Sequence, residues 1–323
     1  MSTRDSQRFS RAEAERLVGR RVRALAPYAY LPPILLAQAV AEKRLSLDDD
    51  VRKYVGGAYP NLEYEGHPVR LAHLIAHSSG LPHNLPARAD SPSDHADGPG
   101  QQAAREAEAL KSYAGDDLLR DLRGVKLAAA PGERFGYSNA AAQLLGFVLE
   151  RAYAKSYEEL VRTKIAGPLG MSDAKVALGP ADMSRFPRAY GADGAFVPYL
   201  SERLPAAGSL KSTVADLLKY ADWNLAERDE AVKLSHRPVW NPMGSQDENY
   251  AIGLGWQMRR TPTARAVWQD GSLPGFTSLC VAYPELKLGL VILTNEEVRS
   301  SSANVSPLAR QILTALDPRA AVF

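Results

Sequence analysis

Two apolar runs near the C-terminus, Phe276 to Tyr283 and Leu288 to Thr294, are separated only by Pro284, Glu285, Leu286 and Lys287. A link that short cannot carry the crossover between parallel strands, so the pair is confined to an antiparallel hairpin. Ile252 to Arg260 reads as a third strand of the same sheet. Upstream the pattern is helical. Leu144, Leu145, Val148, Leu149 and Ala152 recur on one face behind Asn139, the expected cap. Pro32 and Pro33 suit the first turn of a helix reaching Arg44, because the N–H groups they lack are unpaired there anyway. Ser10 to Glu13 has the form of a capping box, opening a helix with Ala14, Leu17, Val18, Val22 and Leu25 on one face. Further helices are expected over 101–110, 116–122, 157–165 and 307–316. Helices followed by strands, with no regular βαβ alternation, indicate an α+β fold.

The chain has 323 residues, 45% of them hydrophobic, enough for one large domain. A formal net charge of +2 with scattered basic residues gives no footprint for nucleic acid or an anionic membrane. The single cysteine, Cys280, excludes an internal disulfide, sits in an apolar run as a core residue would, and suits a reducing compartment. The longest apolar run, Tyr30 to Val40, is too short to span a bilayer. The N-terminal residues are polar rather than signal-like, so a cytoplasmic location is expected. Residues 90–100 are rich in Ser, Pro, Asp, His and Gly and read as a loop. His83 and His95 near it match no metal-ligand spacing, and no metal or cofactor is expected.

Several ordered blocks resemble the serine β-lactamase-like superfamily of class C β-lactamases, penicillin-binding proteins and esterases. They are Leu45 to Asp49 with Val51 and Tyr54, His73 to Pro82, Pro131 to Asn139, Pro168 to Met171, Ala207 to Thr213 with Asp216 and Leu217, and Gly275 to Ser278 with Pro284 and Leu293 to Asn295. The resemblance covers roughly residues 34–316. It implies a β-lactamase/transpeptidase-like fold: an antiparallel sheet flanked by helices plus an all-helical lobe. The whole chain, 1–323, is then a single domain, with its helical lobe at about 45–220 and its sheet lobe at about 1–44 and 250–323. In that family a Ser and a Lys one helical turn later perform acylation, assisted by a Tyr. A basic or imidazole-bearing triplet on a strand lines the opposite wall.

Carried onto this chain, the family Tyr is Tyr137, followed by Ser138 and Asn139. The strand triplet falls on Gln269, Asp270 and Gly271, with Gln269 in the place of the basic residue. The Ser and Lys positions fall on Ala26 and Ala29. Ser172-Asp173-Ala174-Lys175 is the only Ser-x-x-Lys in the chain and follows the Pro168 to Met171 turn, where the resemblance implies a surface loop. Tyr137 and Asp270 are therefore the candidate catalytic residues. Asn139, Gln269, Gly271, Tyr28 and Tyr30 are the candidate substrate-binding residues; for both tyrosines packing is the simpler role, as it is for His73 and His77. A phenol with an ordinary pKa near 10 is a poor base at neutral pH without a cation beside it. Three functions remain open: a diverged enzyme using the cleft for non-covalent acid–base or cyclisation chemistry on a small molecule, a non-catalytic binder of a small molecule or protein, and a serine hydrolase whose first helix aligns differently.

The first predicted helix passes almost directly into the second, where the family has two intervening strands. Their deletion leaves 288–293 as an uncovered apolar edge, open to pairing with a second copy or a partner. Analytical ultracentrifugation at micromolar concentration is expected to find a homodimer; a clean monomer counts against this edge as an interface.

Overall fold

The computed structural model describes residues 26–28, 32–85, 113, 115–191, 194–197, 205–208, 210–242, 244–273, 275–296 and 301–320. The helices expected over 10–25 and 101–110, together with Ala29, Tyr30 and His95, lie outside these residues. Strand β1 is Ala26–Tyr28. Helix α1, Pro32–Ala41, is buried at Ile34, Leu35, Leu36, Ala37 and Ala39, as a helix apolar all round must be. The short α2, Leu71–Ile75, leads into the loop at His77. It is followed by α3, Gly115–Leu122, and the long α4, Asn139–Tyr153. The helix expected over 157–165 starts as α5, Tyr157–Val161, and widens into a π-helical turn over Arg162–Ala166.

Strand β2, Leu210–Ser212, pairs antiparallel with β1, setting Ala26 opposite Ser212. Ala26, counted back along a helix from the sequence, thus belongs to a strand, because helix formation starts only at the Pro32–Pro33 pair. Helices α6, Val214–Ala226, and α7, Glu230–Ser235, lead into the main sheet. Its strands are β3 (Tyr250–Ile252), β4 (Gln257–Arg260), β5 (Arg265–Leu273), β6 (Phe276–Tyr283) and β7 (Leu288–Thr294), all antiparallel in the order β7-β6-β5-β4-β3. The final helix α8 is Ser301–Leu316.

The α+β expectation and the β6–β7 hairpin hold. Two readings of the sheet need correction. The single strand expected over 252–260 is a hairpin that reverses around Gly253 and Gly255. A Cβ on Gly253 would stand 2.5 Å from the Ser235 carbonyl oxygen, and Gly255 has φ +69°. The strand expected at the Gln269–Gly271 triplet is longer, running over Arg265–Leu273 as β5.

Every residue of β6 is buried, because both faces of the sheet are covered. Cys280, Ala282, Val267 and Val291 pack into the core built around α1, α4 and α6. Leu279, Val281, Tyr283 and Ala266 pack instead with Val305, Ala309 and Leu313 of α8. Strand β7 is the outer strand among the described residues. Its side chains are largely covered, with Leu290 and Val291 buried, so what it offers is a backbone edge rather than an apolar surface.

Gly80 bears on how the helical part is joined. It has φ +75°, and an added Cβ would lie 2.6 Å from the Ala129 carbonyl oxygen. Gly66 has φ +83° but open space around it. Gly80→Ala therefore combines left-handed strain with overpacking and is expected to cost about 2 kcal/mol or more, whereas Gly66→Ala carries only the first of these. Urea denaturation checks this; equal losses for the two variants would show that the close approach at Ala129 is unimportant.

Candidate functional site

Two loops are held together by main-chain bonds before any side chain is considered. Gly132 N–H donates to the Ser78 carbonyl at 2.7 Å, Gly136 N–H to that of His77 at 2.8 Å, and Asn139 N–H to that of His83 at 2.8 Å. His77 has φ +53°, and its Nδ1 accepts from the Ser138 N–H at 3.3 Å. That bond assigns the neutral tautomer with its proton on Nε2. Burial first, and His83 second, push the His77 pKa down to about 4.

Ser138, rather than Asn139, caps α4. Its backbone is extended, and its Oγ accepts from the Ala141 N–H at 2.9 Å while donating to the Pro82 carbonyl at 2.6 Å. Asn139 is already inside the helix, so its amide is released from capping and donates to Asn84 Oδ1 at 2.8 Å.

This scaffold presents Tyr137. Its ring lies 4.5 Å from that of His77 and 5.6 Å from that of His83. The side chain is 47% exposed, yet protein surrounds the hydroxyl closely enough to disfavour a phenolate. Burial first, then the Asp270 carboxylate, push the Tyr137 pKa up to about 12, so at neutral pH it is a neutral hydrogen-bond donor.

Asp270 is near enough to act on Tyr137 because β5 outruns its neighbour. Strand β4 pairs only with Arg265 to Trp268, whereas β6 pairs through Leu273. Residues 269–273 thus have one edge open among the described strands. Alternation along the strand sends Gln269 and Asp270 to opposite faces. Gln269 is 4% exposed, and its Nε2 donates to the Gly255 carbonyl at 3.1 Å. Gln269 stands opposite Cys280, on the face of the sheet that packs with α1, α4 and α6. Asp270 is half-buried, and its Oδ1 accepts from Gln257 Nε2 at 2.7 Å. Tyr250 OH in turn donates to Gln257 Oε1 at 2.9 Å. The Gly271 carbonyl accepts from Ser278 Oγ at 3.4 Å.

Of the other candidates, Tyr28 stands opposite Leu210 in the β1–β2 pair, and Tyr30 lies outside the described residues. The Ser172–Lys175 segment is engaged elsewhere. Asp173 binds Arg185 at 2.7 and 2.8 Å, and Lys175 Nζ lies 2.6 Å from Asp182. The lysine ammonium is thus committed to a carboxylate rather than to Ser172. Sequence reasoning missed the Tyr250–Gln257 relay, which depends on an unforeseen hairpin, and the ring of Phe135. The second had a visible signal, an aromatic residue two positions before Tyr137. Among the described residues no group of His, Cys, Asp and Glu is arranged to hold a metal ion, and no helix is long and apolar enough to cross a membrane.

The fold and these loops define a member of the β-lactamase/transpeptidase class. The family model described as Beta-lactamase matches residues 34–314, and the chain belongs to that family. It is similar to penicillin-binding protein 4* of Bacillus subtilis, at 25% identity over 84% of this chain and 59% of the relative. It is also similar to a beta-lactamase of Escherichia coli, at 26% identity over 88% of this chain and 77% of the relative. The chain therefore spans little more than half the length of the first of these. Among solved structures, a beta-lactamase/D-alanine carboxypeptidase from Yersinia pestis complexed with citrate superimposes with a TM-score of 0.73 at 22% identity, covering 92% of this chain and 85% of that one.

The buried, neutral His77 sets a pH dependence. Its folded pKa of about 4 lies below the ordinary 6.5, so between those values the unfolded chain binds the extra proton. The stability that this histidine supports at neutral pH is lost as pH falls from about 6.5, levelling off below about 4, for a total of roughly 3 kcal/mol. Asparagine tolerates φ +53° and does not titrate. His77→Asn is expected to flatten the stability–pH curve over that window, measured by denaturation at several pH values. An unchanged slope would remove His77 as its source.

Proposed function

We propose that this chain handles a small molecule non-covalently in the recess between Tyr137 and residues 269–273, without an acyl-enzyme. The observation that carries this reading is that the only Ser-x-x-Lys of the sequence has its lysine bound to Asp182. Tyr137, a phenol whose pKa is pushed up by burial and by Asp270, adds to it. A nucleophilic serine needs a neighbouring base to take its proton. Tyr137 near 12 and His77 near 4 both stand far from the neutral range in which general acids and bases work best.

The first form of this reading is a diverged enzyme, and the second a protein that binds the small molecule without turning it over. If chemistry is retained, Asp270 is the residue to accept a proton, with Tyr137 donating a hydrogen bond to the reacting oxygen. Acyl-enzyme hydrolysis, the activity suggested by the names of the beta-lactamase and carboxypeptidase relatives, is the competing reading. The proposal also takes the protein to be a cytoplasmic homodimer joined through β7, supported by its single buried cysteine and the open edge of that strand.

Incubation with fluorescent penicillin and with a fluorophosphonate, followed by denaturing gel and intact-mass analysis, is expected to give no covalent adduct. A stoichiometric adduct on any serine overturns the proposal in favour of a serine hydrolase.

A further inference from the structure

His83 combines exposure with restraint. It is exposed between Leu81 and Leu85, which are both buried in the core. Its carbonyl accepts from the Asn139 N–H at 2.8 Å and from the Ala140 N–H at 3.4 Å, which fixes its backbone to the start of α4. Any residue has that carbonyl, so the bond places no demand on the side chain. The imidazole is nevertheless held as well. Asn84 Nδ2 lies 3.0 Å from His83 Nδ1, and Asn84 Oδ1 accepts from Asn139 Nδ2 at 2.8 Å. Holding a side chain costs rotamer entropy, and on this exposed ring two half-buried amides are used to do it.

The polarity of this relay is set from its inner end. Asn84 uses its carbonyl oxygen on Asn139, so the atom it turns to the imidazole is the amide nitrogen, which can only donate. His83 therefore accepts at Nδ1, and in its neutral form it carries its proton on Nε2. The ring is left with Nε2–H as the group it offers to a ligand. It also stands at the end of an aromatic row. The His83 ring lies 5.6 Å from that of Tyr137, Tyr137 lies 4.5 Å from His77, and His77 meets Phe135 edge-on at 6.2 Å. Phe135 in turn stacks on Trp240 at 6.4 Å. Phe135 and Tyr137 are half exposed, so the row presents apolar ring surface beside the donor. Ring surface next to an N–H matches a molecule with a ring and an oxygen acceptor; one lacking the oxygen leaves the donor unpaired on contact.

We infer that His83 is a ligand-binding residue of this site, its Nε2–H donating to the oxygen of a small carbonyl compound packed against the Tyr137 ring. This rests on the non-covalent reading above and deepens it by naming the donor and the ligand chemistry. Asn84 acts on the ligand through His83 and is a positioning residue.

The first readout is the tautomer, from long-range proton–nitrogen NMR of the full chain at neutral pH, with the His83 signals identified by their loss in His83→Gln. The Nε2–H form is expected. Asn84→Asp keeps the shape and the bond from Asn139 but sets an acceptor against Nδ1, and is expected to put a proton there. The second readout is fluorine NMR titration with 4-fluoroacetophenone and with 4-fluoro-α-methylstyrene, which has a CH2 group in place of the carbonyl oxygen. The ketone is expected to bind about fivefold tighter, the size of one neutral hydrogen bond. His83→Phe keeps a ring without the donor and is expected to remove that preference. His83→Gln returns an N–H at the ε position and is expected to keep part of it. Thermal melts verify that the variants fold. An Nδ1–H tautomer in the unaltered chain, a tautomer insensitive to Asn84→Asp, equal binding of the two probes, an unchanged preference in His83→Phe, or no ketone binding at millimolar concentration each overturns the inference. Covalent capture of penicillin overturns the non-covalent reading instead, so the two failures are distinct.

Discussion

Strand β6 has no exposed residue, and most of the architecture follows from covering it. Its side chains alternate between two layers. Cys280 and Ala282 point into the core shared by α1, α4 and α6, while Leu279, Val281 and Tyr283 point towards α8. An antiparallel sheet can leave one face wet; a central strand buried at every position cannot. Helices on both faces are therefore required, and α1, buried around its circumference, fits only between the sheet and the other helices. The loops of the candidate site hang from α2 and α4, so their position relative to the sheet is inherited from this core.

The strand beside β6 converts that rigidity into a site. Because β4 stops pairing at Trp268, the last part of β5 is held by β6 alone and meets the recess with its other edge. Period-two alternation then sends Gln269 and Asp270 to opposite faces. Gln269 takes the face of Cys280, where its amide finds the Gly255 carbonyl, and Asp270 takes the face of Leu279, steadied by Gln257. A slip of one residue would bury the carboxylate and expose the amide, but the all-buried pattern of β6 makes such a slip costly along the whole sheet.

Much of this was legible in the sequence where a pattern is local. The β6–β7 hairpin followed from two apolar runs and a four-residue link, the start of α1 from paired prolines, and the loop carrying Tyr137 from its motif. What escaped depends on tertiary partners. Gly253 and Gly255 turn one expected strand into two because the Ser235 carbonyl oxygen, remote in sequence, occupies the space a side chain would need. Of β5 only the Gln269–Gly271 triplet was legible, and its start at Arg265 was not. Serine and asparagine are both good caps, and only the extended backbone at Ser138 with the Pro82 carbonyl beyond it distinguishes them.

Tyr137 shows how the surroundings of a side chain, beyond the motif that carries it, set its ionisation. The ionisation of a phenol follows the sign of its surroundings: a neighbouring ammonium favours the phenolate and so lowers the pKa, whereas a carboxylate and burial both raise it. In this chain the charge acting on Tyr137 comes from Asp270, and burial works in the same direction. Both causes work in one direction, so the phenol keeps its proton well beyond neutral pH. His77 is driven the opposite way by burial and by His83, yet ends equally neutral. A neutral phenol and a neutral imidazole therefore stand ring to ring at the start of α4, one kept from losing a proton and the other from gaining one.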